Sequence, residues 1–294
     1  MKFTLRQLQV FLATAHFENI SKAANSLSMS QSAASSSLAD LENQFDIKLF
    51  DRKGKKLQLN ALGYALRPQA EALIQRAEEL DQALHQHSAS GHLKVGATLT
   101  IGNYLAIHIM SRFLQENPHA KVELDVANTS KIAQKVRNFE LDLGLIEGEL
   151  VDDELEVIPW MEDELVVFCS PQHPLAGSSA LSDKQILSAN WILREAGSGT
   201  RQTFDWAMHG ILSQLTIQLE LQHTEAIKRA VEAGLGIGCL SRVALEDAFR
   251  RGSLIPLHLP RRNLKRHFYF ILHKQKYRNA GIHQWLNLCK ALFH

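Results

Sequence analysis

The sequence predicts an N-terminal all-α winged helix-turn-helix with a long linker helix, followed by a two-lobed α/β domain. Three observations predict it. Residues 20–45 read as two helices joined by a turn too short for either to bury its apolar side alone. Residues 66–84 carry a heptad seam, and from Leu93 onward short apolar strands alternate with amphipathic helices.

A first helix is expected from Thr4 to His16, because Leu5, Leu8, Phe11, Leu12 and Ala15 follow helical spacing and Thr4 is placed to cap it. Ser21 is the candidate cap of the second helix, where the small Ala23 and Ala24 beside Leu27 permit a close helix crossing. Ser28, Met29 and Ser30 make the break. Ser30 then caps a third helix with Ala34, Leu38, Leu41 and Phe45 inward at steps of four, three and four. Its other side, Gln31, Ser32, Ser35 and Ser36, is small and polar. A helix with so little bulk near its N-terminus fits a DNA major groove, where glutamine pairs with adenine and serine with several base edges. An ordinary solvated hairpin has the same pattern, so the next segments decide.

After Phe45, two short apolar segments flank a turn that holds Gly54 and the cations Arg52, Lys53, Lys55 and Lys56. This is the pattern of a basic β-wing, whose natural partner is phosphate, because each neutralised phosphate releases condensed counterions. A long helix should follow to about His87, with Leu66, Ala70, Leu73, Ala77, Leu80 and Leu84 forming the seam. Pro68 should kink its first turns or mark a late start. The seam can bury itself on its own chain or on a partner helix. In a dimer it would set two recognition helices on two half-sites. Ser88 to Gly91 reads as a hinge.

A chain of 294 residues with 45% apolar content has room for two or three domains with real cores. Lys+Arg 32 against Asp+Glu 31 gives a net charge of +1, so affinity for a polyanion has to be local, as in the wing. No secretory segment is visible, and no apolar run approaches the roughly 18 residues of a membrane span, so a cytoplasmic protein without a membrane partner is expected. Cys169, Cys239 and Cys289 are odd in number and far apart, which fits reduced structural thiols. Cys239 in an apolar run is expected to be an inert buried thiol.

In the C-terminal part, strands are expected at 93–96, 122–126, 141–146, 164–170, 217–221, 237–240 and 267–273. Helices are expected at 101–117, 132–139 and 225–233, after Ser198, after Ser241 and at 282–293. The apolar strand from Glu164 to Ser170 should cross to a second lobe and the strand from His267 to His273 should return, leaving a cleft. Ligands of open α/β sheets bind beyond the carboxyl ends of strands, beside helix N-termini. Three segments fall there: Thr98 to Gly102 with Thr100, Asn128-Thr129-Ser130, and Ala196 to Arg201 with Ser198 and Thr200. Together they describe a pocket for a small anion. Glu147 and Glu225 are further candidates to line it. Because a carboxylate beside an anion site weakens binding unless protonated or paired, for instance with Arg201, Glu147 is read as a gate or selectivity element.

The pattern Leu5-Arg-Gln-Leu-Gln-Val-Phe11, Ser21-Lys-Ala-Ala24, Ser30-Gln-Ser-Ala-Ala-Ser35, Leu49-Phe-Asp-Arg52 and Leu59-Asn60 to Gly63 resembles the DNA-binding region of LysR-type transcriptional regulators. The resemblance implies a winged helix-turn-helix, a dimerising linker helix and a periplasmic-binding-protein-like effector domain, usually in a tetramer. Ser36 and Ser37 stand where many relatives carry larger or basic side chains. Leu141 to Gly148, Glu162 to Phe168, Trp191 to Arg201 and Gly234 to Ser241 are similar to the members linked to sulfur metabolism, whose ligands include sulfite. That resemblance makes Thr98, Thr100, Asn128 or Thr129, Ser198, Thr200 and Arg201 the ligand shell.

The expected domains are therefore 1–60 for DNA binding, 61–87 for dimerisation, 88–92 as hinge and 93–294 as effector domain. Lobe I is expected at 93–162 and 267–294, lobe II at 163–266. Promoter duplex DNA, a small anion and a second or further copies of the chain are the expected partners, with RNA polymerase a further candidate. No metal or cofactor is expected. The enzyme reading lacks a nucleophile elbow, a dinucleotide loop and a metal-ligand cluster. The solute-binding reading leaves the basic wing unexplained.

Overall fold

The computed structural model describes residues 2–54, 56–86 and 91–293, and of 82–86 the backbone only. Lys55, the Leu84 side chain and residues 88–90 of the expected hinge lie outside the described residues. The chain divides into two units, Met1–Gly91 with Gln275–Ala280, and His92–Lys274 with Gly281–His294.

In the first unit α1 (Leu5–Phe17) opens on a capping box, in which the Thr4 hydroxyl accepts from the Gln7 N–H and the Gln7 side chain accepts from the Thr4 N–H. The cap of α2 (Ile20–Ser26) is Asn19 rather than Ser21. The Asn19 side-chain oxygen accepts from the N–H groups of Ser21 and Lys22 at 2.9 and 3.0 Å, so Ser21 already lies inside the first turn. Ser30 caps α3 (Gln31–Phe45) by accepting from the Ala33 N–H at 3.2 Å. Ala34, Leu38 and Leu41 bury against Leu8 and Phe11 of α1 and Ala24 of α2. Phe45, expected inward, is 44% exposed at the last position of α3, with its ring centre 6.4 Å from that of Phe3.

Glu42 is a buried carboxylate that accepts from the Leu49 N–H at 2.8 Å and from Lys48 Nζ at 2.9 Å, tying α3 to the wing. The wing is β1 (Phe50–Lys53) paired antiparallel with β2 (Lys56–Leu59), Phe50 opposite Leu59. Gly54 turns it at φ +61°, a conformation that glycine enters without strain. α4 (Ala61–Gln86) starts straight after the wing and runs through Pro68, so the proline does not delay its start. Leu66 and Ala70 of the seam join the core of this unit, Ala77 is half-buried, and Leu73 and Leu80 are exposed. Lys276 Nζ stands 3.6 Å from Glu71 Oε1, and the Arg76 guanidinium lies 4.5 Å from the centre of the Tyr277 ring.

The second unit contains β3 (His92–Ala97), α5 (Ala106–Glu116), β4 (Lys121–Val126), α6 (Thr129–Arg137), β5 (Leu143–Glu147) and β6 (Leu155–Cys169). It continues with α7 (Asp183–Ser188), β7 (Asn190–Arg194), α8 (Gly199–Ala207), β8 (Thr216–Leu221), α9 (Thr224–Glu232) and β9 (Ile237–Ser241), then α10 (Arg242–Arg251), β10 (Ile255–Leu257), β11 (Lys265–His273) and α11 (Ala280–Leu292). The sheet order is β4-β3-β5-β11-β6-β9-β7-β8, with β10 on β6. Two parallel sets, β4-β3-β5 and β9-β7-β8, form the two lobes, and antiparallel β6 and β11 join them. β6 pairs with β11 as far as Glu164 and with β9 from Leu165, so one strand serves both lobes.

β6 begins nine residues before the expected Glu164. Its first part is mostly half-buried and mixes Glu156 and Glu162 with apolar residues instead of forming an apolar run, and Pro159 sits beside a register shift at Phe268/Tyr269. The helix expected from Ile101 begins as a π-helical turn, Ile101–Leu105. α7, β7 and β10 were not anticipated. In lobe I the core is β3, β5 and β11 under α5 and α11, with Phe113, Phe268, Phe270 and Trp285; in lobe II it gathers around Trp191 and Phe204. The three cysteines are free and buried, and burial pushes their thiols up, Cys169 to about 11. Among the described residues no helix is long and apolar enough to cross a membrane.

Candidate functional site

The first unit presents a polar helix face beside a cationic hairpin. With Ala34, Leu38 and Leu41 buried, the spacing of α3 turns Gln31, Ser32, Ser35 and Ser36 to solvent, next to the cap Ser30. Ser21 is exposed at the start of α2. In the wing Arg52 and Lys53 are exposed and have no ion-pair partner among the described residues. Lys56 differs: its Nζ bonds Glu18 Oε2 at 2.7 Å.

In the second unit a buried ionic cluster sits where the lobes join. Glu147, the last residue of β5, is 1% exposed. Its Oε1 accepts from the Thr100 backbone N–H at 2.9 Å, and its Oε2 accepts from the Thr200 hydroxyl at 2.8 Å and from Arg266 Nη1 at 3.0 Å. Arg266, on β11, also donates through Nε to Asp163 Oδ2 at 2.7 Å and through Nη1 to Thr200 Oγ1 at 3.0 Å. Ser241, the cap of α10, donates to Asp163 Oδ1 at 2.8 Å. The Thr129 hydroxyl donates to the Glu147 carbonyl at 3.1 Å.

Close backbone approach makes this possible. A Cβ on Gly199 would lie 1.8 Å from the Glu147 carbonyl oxygen, so only glycine lets the start of α8 meet the end of β5. Burial alone would raise the Glu147 pKa, but Arg266, Arg194 and the bonds from Thr200 and Thr100 outweigh it and hold the group at about 2. Asp163 goes the other way: burial raises it, and Arg266 only partly offsets that. A buried ion pair of this kind gives modest net stability when intact and costs several kcal/mol when one partner is lost.

Thr98, Thr100, Thr129, Glu147, Ser198 and Thr200 are all buried, and four of them, Thr100, Thr129, Glu147 and Thr200, are bonded together directly. Thr98 Oγ1 and Arg266 Nη2 are buried donors with no hydrogen-bond partner among the described residues. Asn128 caps α6 and donates to Glu195 Oε1 at 3.2 Å across the cleft. Arg201 is not brought into the cluster. Its guanidinium is held by Asp205 and Glu220, both at 2.8 Å, and by the Arg194 carbonyl. At another lip Tyr104, presented by the π-helical turn, donates to Glu225 Oε1 at 2.7 Å, and Lys228 bonds the same carboxylate at 2.6 Å.

Arg266, Asp163 and Ser241 were missed from sequence. The signal was present: alternation along Lys265–His273 sets Arg266 on the side of Phe268 and Phe270, an inward cation that demands a buried carboxylate. The cluster is a set of anion-binding donors, an amide, a hydroxyl and a guanidinium, already gathered around one of the chain's own carboxylates.

Residues 5–64 match the model for the bacterial regulatory helix-turn-helix protein of the lysR family, and residues 86–293 match the LysR substrate binding domain. The chain belongs to the LysR family of transcriptional regulators. It is 40% identical over 289 residues to the uncharacterized HTH-type transcriptional regulator YeiE of Escherichia coli (strain K12), covering 98% of each chain. Among solved structures, a full-length OxyR variant from Pseudomonas aeruginosa superposes with a TM-score of 0.74 at 20% identity, covering 99% of this chain and 95% of that one, a likeness of fold. The CcmR regulatory domain of Synechocystis PCC6803, in complex with 2-PG, superposes at 0.64 with 29% identity over 69% of this chain and 97% of its own. The lysR family is one of bacterial regulatory proteins and YeiE is a transcriptional regulator, so the chain is a regulator and not an enzyme.

Proposed function

We propose that this LysR-family regulator senses a small oxyanion at the Glu147 cluster and transmits its binding to promoter-bound copies of the chain. The observation that carries the reading is that Thr100 N–H, the Thr200 hydroxyl and Arg266 converge on a single carboxylate. Glu147, held at about 2, stays ionised at neutral pH and only accepts. A ligand that joins it must bring a proton of its own. Hydrogen sulfite or a hydrogen phosphate does so, whereas sulfate does not. Glu147 is thus the selectivity element, and Thr98, Thr129, Ser198 and Thr200 the shell. Sulfite is the effector we favour, in line with the sulfur-metabolism resemblance.

A thermal-shift series on the full-length protein with sulfite, sulfate, thiosulfate, phosphate and 2-PG tests this. Sulfite should raise the melting temperature and sulfate should not, and Thr200→Val should remove the sulfite shift while DNA affinity stays intact. Glu147→Gln, which supplies a donor in place of an acceptor, should admit sulfate. A sulfite shift that survives in Thr200→Val rejects the cluster as the site.

For DNA we assign base contact to Gln31, Ser32, Ser35 and Ser36 and phosphate contact to Ser21, Ser30, Arg52, Lys53, Lys55 and Lys56. An exposed apolar groove supports the dimer: exposed Phe45, Leu62 and Leu73 line a cavity of about 720 Å³ with Leu66 in the first unit. Docking α4 of a second copy there, with Ala77, Leu80 and Leu84 continuing the seam, gives a dimer, and pairing of dimers gives a tetramer. RNA polymerase remains a candidate contact of the DNA-bound form.

A further inference from the structure

A second cavity, of about 340 Å³, lies between α8 and the first residues of β11. Its walls include Thr203 and Trp206 of α8 and Lys265, Arg266, His267 and Tyr269 of β11. None of these was part of the expected ligand shell. Alternation along β11 sets Lys265, His267 and Tyr269 on one side of the strand, so a cation, an imidazole and a phenol line the same wall at two-residue intervals.

We infer that this cavity is a binding site for a small organic monoanion with a flat, ring-bearing body. The charge for an anion comes from Lys265, whose ammonium has no ion-pair partner among the described residues; Arg266 also lines the cavity, but its charge is already held by Glu147 and Asp163. Glu149 on the same rim opposes a second negative charge, which selects a single carboxylate over a dianion. The shape favours a ring, because the Trp206 indole is 55% exposed beside Tyr269 and a flat ligand would cover it. The volume is that of a small-molecule pocket, at the lower end of the usual range of about 300 to 1,000 Å³. A bare oxyanion would leave Trp206 and Tyr269 wet. The inference does not rest on the oxyanion reading, and the two sites have only Arg266 and α8 in common.

Benzoate, the simplest member of the class, is the probe. Full-length protein is titrated by calorimetry with benzoate and with inorganic phosphate, alongside Lys265→Glu and Trp206→Ala, both at exposed positions where the fold tolerates change. Benzoate should bind saturably and more tightly than phosphate, and Lys265→Glu should weaken it about tenfold or more and Trp206→Ala several-fold. Equal affinity in wild type and both variants, phosphate binding as tightly as benzoate, or no saturable benzoate binding up to about 10 mM overturns the inference. A repeat in excess sulfite separates the sites: a bounded change in benzoate affinity, or none, supports two sites, and unbounded competition places benzoate in the Glu147 cluster and overturns the proposal. If sulfite fails to bind at all, the Lys265 and Trp206 variants still decide.

Discussion

At the scale of single residues, Arg266 carries most. It faces two buried carboxylates, Glu147 and Asp163, and its removal leaves like charges together in a dry interior. Arg266→Met should therefore cost about 3–5 kcal/mol, read as a fall in the denaturant midpoint, and the Arg266→Met, Glu147→Gln pair should recover part of it. Recovery by the pair is the discriminating result; additive losses would mean the charges are not coupled. Acid should act on the same group. Because the folded pKa of Glu147, about 2, lies below its ordinary value, the unfolded chain takes up that proton first as pH falls. The stabilisation is complete above the ordinary carboxylate range and is lost as pH drops towards about 2. Asp163 is shifted upward, chiefly by burial, and offsets part of this. Thermal melts from pH 6 to 2.5 should thus fall more steeply for wild type than for Glu147→Gln; parallel curves would remove Glu147 from the account. Thr100 shows what spacing can and cannot give. Its position in the cluster was legible, but its contribution is a backbone N–H, so the hydroxyl worth deleting is that of Thr200.

At the scale of elements, the parts whose signals are local were legible, and those fixed by distant partners were not. The steps of four, three and four in α3, the Ser30 cap and the basic hairpin are written within a few residues of one another. β6 was truncated because its first half is defined by pairing with β11, more than a hundred residues away, and Asp163 and Arg266 were overlooked for the same reason. The elements we assign to DNA separate by chemistry. Arg52→Ala or Lys53→Ala should weaken binding to all duplexes alike and reduce the slope of log affinity against log salt by about 1 each, in filter or anisotropy titrations. Gln31→Ala should instead flatten the preference among bases at one position by about 1–3 kcal/mol. If Gln31→Ala weakens every sequence equally, α3 does not read bases. For α4, Leu73→Glu puts a charge in the exposed apolar groove, so sedimentation should show dissociation to monomer; an unchanged assembly would put the interface elsewhere.

At the scale of the whole effector unit, the question is how a change within one cluster becomes a change in shape. Two strands join the lobes, and two polar clasps hold the cleft: Asn128 with Glu195, and Tyr104 with Glu225 and Lys228. The Tyr104 phenol is driven well above its ordinary pKa, first by burial and then by Glu225, so it remains a donor at any physiological pH. Lys228 is itself buried and also bonds the Ala244 carbonyl, which fixes the lobe II half of the clasp before Tyr104 arrives. Tyr104→Phe therefore removes the hydroxyl that donates to Glu225 and accepts from Lys228 across the cleft, and leaves the Glu225–Lys228 pair intact. Such a bond is worth about 1.5–3 kcal/mol when one partner is charged. The closed population should fall accordingly, and a ligand that needs closure then binds more weakly by the lost fraction. Scattering from the ligand-free variant should report a larger radius of gyration than wild type, and sulfite should restore the wild-type value at a higher concentration. A variant with unchanged scattering and unchanged sulfite titration would mean that Tyr104 decorates the cleft without closing it, and the coupling would then have to run through the strands β6 and β11 alone.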